Sequence, residues 1–402
     1  MQHYTIKEQR ASFMKTLSND IILNAKSADR MVKWDQIAAG KKAFKKHWNN
    51  FLFRVGINLI LPLLMLCADI IMPIKYIVVV IFRKKKECNF KRLFIGHDRR
   101  LYTISERIKL PKNDDVWLRL LDDNFIIPKE KWQADILDFI TPYQIIKSAY
   151  QSIIIHALAI KNLGYNTYFL SYKAFKWCMI DYALRNIPEE IELIHSYICD
   201  RNAILIDKLP HRKKTLVQHG TMHFGNNTNN HPYLKYKPEK GFYIWTSLYR
   251  SSWSKVYCFT ATDEWALSNS VIANNPKFIH INYGFEPSFK PNKKSILIVS
   301  NYYSYGKIEE SIIRQLQNLD IEIFLKNHPS HANSLYDDMR SKYQFNFIAG
   351  LETSLPAVDL LISYDSTLAY EYASIGTSVL YYGHFDINDI KTLVSQKLSL
   401  NN

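Results

Sequence analysis

One stretch limits what this chain can fold into more than any other: VDLLISYDSTLAYEYASIGTSVLYYG, residues 358–383. It begins as an apolar strand, turns polar at Ser363, continues as a helix up to Gly376 and closes on a second apolar strand. That order is the parallel βαβ unit, in which the crossover helix covers one face of a sheet. In such units the first turn and the helix N-terminus lie at the carboxyl edge of the sheet, where ligands bind.

The same alternation starts near residue 90. RLFIGHD reads as a strand running into a loop, YQSIIIHALAIKNLG as an amphipathic helix ending at Gly164, and NTYFLSY as the next strand. NAILID, KTLVQHG and KVYCFTATDEW continue the strand pattern, each a short apolar run with a polar or glycine end. FIHINYGFEPSFKPNKK, residues 278–294, holds one glycine with Pro287 and Pro291 and reads as a stiff linker. A second set follows it: SILIVSN, a helix around KIEESIIRQLQNL, IEIFLKNHPS, a short helix near SLYDDMRSKY, QFNFIAG and the stretch quoted first. The expected fold is α/β, with two Rossmann-like domains, 91–286 and 287–402, facing a cleft between their sheet edges, behind a basic N-terminal region, 1–90. At 402 residues the chain is long enough for both cores.

The formal charge of +15 suggests a nucleic-acid binder until it is counted by region. Residues 1–100 hold 20 Lys and Arg against 7 Asp and Glu, and the remaining 302 residues hold 32 against 30. The excess flanks the most apolar segment, VGINLILPLLMLCADIIMPIKYIVVVIF, residues 55–82, with Lys41, Lys42, Lys45, Lys46 and Arg54 before it and Arg83 to Lys86 after it. Basic clusters beside an apolar block suit an anionic membrane surface, and no nucleic-acid partner is expected, because the basic residues do not interleave with exposed aromatics. Asp69 and Lys75 divide the segment and Pro62 and Pro73 interrupt it, so an in-plane or re-entrant hairpin is favoured over one tilted span or a buried helix pair. The first fifty residues are polar and charged and do not read as a signal peptide, which places the body on the cytoplasmic side of a membrane, peripheral or monotopic. The five cysteines lie far apart in sequence, so no paired metal ligands or redox pair is expected.

Candidate chemistry sits at the polar strand ends. Ser366 and Thr367 start a helix and suit a phosphate, or simply the N-cap role that Ser takes at such places. Asp365 reads as a cap or a partner of a hydroxyl, and Glu371, one turn in, as a ribose acceptor or a solvated helical carboxylate. Lys326, Asn327 and His328 end another strand; His328 precedes Pro329, which restricts its backbone, and suits donation to a leaving phosphate with Lys326 adding charge. His219, after KTLVQ, is a candidate general base, and Asp98, after RLFIGH, a candidate carboxylate. Asp263 and Glu264 in TDEW read as a helix start. Each residue taken singly also has an ordinary structural role.

Taken in order, QHG, NHP and the serine–threonine turn resemble bacterial glycosyltransferases of the GT-B fold. The sialyl-, polysialyl- and Kdo-transferases of capsule and lipopolysaccharide assembly, with an HP motif and a later S/T pair, are the nearest resemblance; the teichoic-acid glycerophosphotransferases share a similar late half. INYGFEPSFKP is similar to their interdomain segment, and STLAYEYASIGTSVLYY to their nucleotide site. The resemblance covers about residues 210–385. It implies His328, Ser366 and Thr367 at the donor phosphate and Glu371 at the ribose. An acidic pair followed by glycine, which carries the catalytic base in the sialyltransferase group, is missing, leaving Asp98 and His219 as substitutes. The expectation is metal-independent transfer, with no cofactor, from a nucleotide-sugar, CMP-sugars favoured, to a lipid-linked or growing surface glycan. The alternatives are transfer of a polyol phosphate from a CDP-activated donor and a non-catalytic membrane scaffold.

Overall fold

The computed structural model describes Arg10 and residues 51–400 apart from 84–89, 96–98, 112–114, 122–131, 164–173, 197–200, 210–212, 219–249, 301–305, 329–332, 351, 365 and 383–384. The described residues divide into two compact units, one reaching His280 and the other beginning at Ile281. Each is built on one sheet whose pairings are all parallel.

The first sheet comprises β1 (Arg92–Ile95), β2 (Asp115–Arg119), β3 (Trp132–Asp135), β4 (Glu192–His195), β5 (Lys214–Val217), β6 (Lys255–Cys258) and β7 (Lys277–His280), in the order β3-β2-β1-β4-β5-β6-β7. The second comprises β8 (Ser295–Val299), β9 (Glu322–Lys326), β10 (Asn346–Ile348), β11 (Leu360–Ser363) and β12 (Ser378–Tyr381), in the order β10-β9-β8-β11-β12. Both wind outward from their first strand, then return to its other side. The winding reverses between β1 and β4 in one sheet and between β8 and β11 in the other; at such a switch point the flanking turns diverge and leave a crevice at the carboxyl edge. The described helices are α1 (Phe51–Phe82), α2 (Arg99–Arg107), α3 (Pro142–Leu163), α4 (Ala174–Asn186), α5 (Arg201–Asp207), α6 (Ala261–Ser270), α7 (Lys307–Leu316), α8 (Asp337–Lys342), α9 (Thr367–Ser374) and α10 (Ile390–Leu398).

In the second unit the central strands are continuous apolar runs because both faces are covered. Ile296, Ile298, Leu360 and Ile362 are fully buried on one side with Ile308, Ile312 and Leu316 of α7 and Val394 and Leu398 of α10. Ile308, Ile312 and Leu316 recur every four residues, the spacing that aligns one helix face. Each such side chain contributes about 1.5–3 kcal/mol by leaving water.

Three sequence expectations need correction. NAILID is not a strand but lies within α5; Ala203, Ile204, Leu205 and Ile206 are all fully buried, and a short helix buried all round shows no helical periodicity. The expected linker at 278–294 begins instead inside β7, which pairs with β6 from Lys277 to His280. The segment 55–82 is not a hairpin: α1 runs unbroken through Pro62 and Pro73. A proline removes one donor, and the other bonds of a long helix that packs along α3 outlast the loss. Asp69, the charge that divided the apolar run, is buried against α3, its carboxylate 3.0 Å from Nε2 of His156. Arg83, just past the end of α1, holds the helix to the first sheet by pairing with Asp138 and, at 3.6 Å, Asp135. Among the described residues no helix is long and apolar enough to cross a membrane.

Candidate functional site

The switch point of the second sheet gathers small polar side chains. β11 ends at the fully buried Ser363, and after two residues Ser366 caps α9, its Oγ accepting from the N–H of Ala369 at 3.2 Å. The hydroxyls of Ser363 and Ser366 lie 3.0 Å apart. The first-turn N–H groups of a helix have no intrahelical acceptor, and the helix dipole places partial positive charge there. Thr367 and Glu371, both half-buried, are four residues apart and therefore share one face of α9. Tyr372 anchors the helix from beneath, donating to the carbonyl of Pro356 at 2.6 Å and packing 4.6 Å from the ring of Phe285.

Across the switch, β8 is followed directly by the buried Ser300, whose hydroxyl bonds the Tyr336 hydroxyl. The next described residue is Gly306, in the left-handed region at φ 85°, which opens α7. The two central strands therefore each have a buried serine at or just past their end and lead towards a helix N-terminus, one opened by Gly306 and one by Ser366.

The strand β9 places the NHP segment on the same edge. Lys326 is buried, and its ammonium donates to the carbonyls of Ala349 and, at 2.7 Å, Gly350, so it ties the end of β9 to the turn after β10. Asn327 does similar work, donating from its backbone to Ile348 and from its side chain to Asn333, both at 2.9 Å. His328 follows them, half-buried. Of the residues singled out in the second unit, Lys326 is thus committed to backbone carbonyls, while Ser366, Thr367 and Glu371 share one helix.

In the first unit, His219 and Asp98 lie outside the described residues, as do His97, His223 and, in the second unit, Asp365. By sequence, Asp98 and His219 follow β1 and β5 by three and two residues respectively. Gln218 of the QHG motif is structural: its buried amide donates to Asp263 at 2.7 Å. Asp263 and Thr260 form a reciprocal capping box at the start of α6. At the switch point of this sheet the fully buried His195 donates from Nδ1 to the carbonyl of Ile95 at 2.6 Å, locking the ends of β4 and β1 together. Sequence reasoning did not single out His195, because ELIH carries no turn signal.

A second cluster on this edge was also invisible in the sequence. Cys258 closes β6, His280 closes β7, and Glu264 stands in the first turn of α6; the thiol, imidazole and carboxylate ligand atoms all lie within 4.8 Å of one another. His280 Nε2 donates to Glu264 at 2.7 Å. Burial first, then the Glu264 and Asp263 carboxylates, push the Cys258 thiol up to about 12.

No family model matches the chain. No curated protein matches it. Among solved structures, the chain is similar to the wall teichoic acid polymerase TagF at 12% identity and TM-score 0.39, covering 81% of this chain and 78% of that one. It is similar to the spinosyn forosaminyltransferase SpnP at 9% identity and TM-score 0.41, covering 77% and 90%. A glycosyltransferase from Rickettsia africae ESF-5 stands at 10% identity and TM-score 0.39, covering 78% and 89%.

Proposed function

We propose that the chain is a glycosyltransferase that moves a sugar from a nucleotide-sugar to a hydroxyl of a lipid-linked or growing surface glycan. The observation that carries this reading is the N-terminus of α9 at the switch point of the second sheet, where Ser363, Ser366 and Thr367 supply hydroxyls beside the first-turn N–H groups. A donor phosphate held there is stabilised as charge develops on its leaving oxygen, which is the electrostatic assistance that glycosyl transfer needs. His328 donates to that oxygen, and Glu371 accepts from a ribose hydroxyl. The bond from the anomeric carbon to the phosphate oxygen breaks while the acceptor oxygen bonds the same carbon, and the acceptor proton passes to a base, for which His219 and Asp98 are the candidates. The donor phosphate is held by these groups without a metal or cofactor, and CMP-activated sugars are the favoured donors.

The same reading includes an anionic membrane surface as partner, supported by the face that α1 and α3 leave uncovered. On α1, Leu63, Ile70, Ile74 and Phe82 are more than half exposed, and α3 adds Tyr143 and Ile146. Exposed apolar surface of this extent marks an interaction site rather than ordinary protein surface. The lysine clusters at 41–46 and 84–86 stand in sequence on either side of α1 and match an anionic headgroup layer. The protein would then work on the cytoplasmic face of a bacterial membrane, where lipid-linked acceptors are presented.

A thermal-shift panel of the full chain in detergent against CMP, CDP, UDP, GDP and ADP tests the donor reading. Stabilisation by one nucleotide, reduced in His328→Ala, is expected, with CMP pointing to a CMP-sugar and CDP to a polyol-phosphate donor. No shift with any nucleotide on a folded sample contradicts the transferase reading.

A further inference from the structure

Cys258, Glu264 and His280 are brought together by three separate constraints. Cys258 and His280 are register partners on the adjacent parallel strands β6 and β7, so their side chains leave the same face of the sheet one strand spacing apart. Glu264 is placed by α6, whose start is fixed by the reciprocal Thr260–Asp263 capping box, itself braced by Gln218 of β5's outgoing turn. The backbone under each of the three is held, by the β6–β7 pairing up to Cys258 and His280 and by the cap of α6. The result is one thiol, one imidazole and one carboxylate whose ligand atoms lie within 4.8 Å of one another.

We propose that this trio is a zinc site on the first unit. The chemistry of the donor set selects the metal. Thiolate and imidazole together favour a borderline-soft ion, and carboxylate joins them readily around zinc, whereas magnesium and calcium require oxygen ligands. Zinc–nitrogen and zinc–oxygen bonds of about 2.0–2.2 Å in a tetrahedron set the nitrogen and oxygen about 3.3 Å apart, so the 2.7 Å contact between His280 and Glu264 has to open by about 0.6 Å. His280 and Glu264, 49% and 38% exposed, have room to move apart by that much and to settle against the sulfur of the buried Cys258, which lies within 4.8 Å of both. Binding exchanges the imidazole–carboxylate hydrogen bond for two metal bonds and releases the thiol proton to solvent.

Three protein ligands leave the fourth position for a water or a substrate oxygen, the arrangement of an open site rather than of a closed structural one. The trio lies at the carboxyl edge of the first sheet, where His280 is about half exposed to solvent. The trio belongs to the first unit and the donor-phosphate residues to the second, and the zinc proposal stands whether or not the transferase reading does.

Metal content and cobalt spectroscopy of the full chain, purified from zinc-supplemented medium, test it. The expected result is about one zinc per chain after dialysis, and a thiolate-to-cobalt charge-transfer band on cobalt substitution. Cys258→Ser abolishes that band. His280→Ala, an exposed change that leaves the core intact, weakens zinc binding by at least about tenfold, because even outer-shell losses cost that much. A folded wild-type chain that holds no zinc overturns the proposal. So does a charge-transfer band that survives in Cys258→Ser, which would assign the cobalt to another cysteine, or zinc affinity unchanged in His280→Ala.

Discussion

Gly376 and Gly306 show how single residues set helix ends in the second unit, Gly306 where α7 starts and Gly376 where α9 has stopped. Both have positive φ, 87° and 85°. A Cβ at Gly376 meets nothing within 4 Å, so Gly376→Ala pays only the left-handed backbone penalty of about 1–2 kcal/mol, measurable as a lower denaturant midpoint with unchanged slope. At Gly306 the added carbon meets the Tyr336 ring at 3.4 Å, an ordinary van der Waals contact, so Gly306→Ala is expected to cost a similar amount. Burial pushes the Tyr336 phenol up to about 12 from an ordinary 10.0, the Ser300 hydrogen bond only partly opposing it. The folded chain favours the neutral phenol, so this contribution is complete below the unfolded value of 10.0 and is lost as pH rises through 10 towards 12. Buried Tyr382 is raised in the same direction, again by burial first. Urea melts at about pH 8 and about pH 11 should therefore differ by about 1.4 kcal/mol from Tyr336, and Tyr336→Phe should lose that part of the difference.

At the scale of the element, α9 carries both a structural cap and the proposed phosphate contact, and substitution separates them. Ser366→Ala removes the cap and should cost about 1 kcal/mol, read as a lower melting temperature. Ser366→Asp keeps an N-cap acceptor, so stability is retained while a negative charge now faces any anion at that helix start. This element was legible in sequence because its signals are local: an apolar run, an abrupt change to hydroxyl residues, and a glycine where the helix stops. The amphipathic α7 was legible for the same reason. By contrast, α5 has no polar face to set a period, and α1 contains prolines that suggested a break which packing against α3 overrides. The Cys258, Glu264 and His280 trio was illegible because strand register joins residues 22 positions apart, a relation that no spacing rule for cysteines captures.

At the scale of the whole molecule, two parallel sheets of the same winding each present a carboxyl edge, and an apolar two-helix face stands on the first unit. Replacing Ile70 and Ile74, 57% and 61% exposed, with glutamate should leave the fold intact and strongly reduce co-sedimentation with phosphatidylglycerol vesicles; unchanged sedimentation would remove the membrane from the account. The central claim is that the start of α9 holds the donor phosphate. Calorimetric titration of the most stabilising nucleotide into wild type and Ser366→Asp tests it most directly. The account predicts binding by wild type, at least about tenfold weaker binding by Ser366→Asp, and equal melting temperatures for the two unliganded proteins. Equal affinity for both proteins would place the phosphate elsewhere and contradict the account.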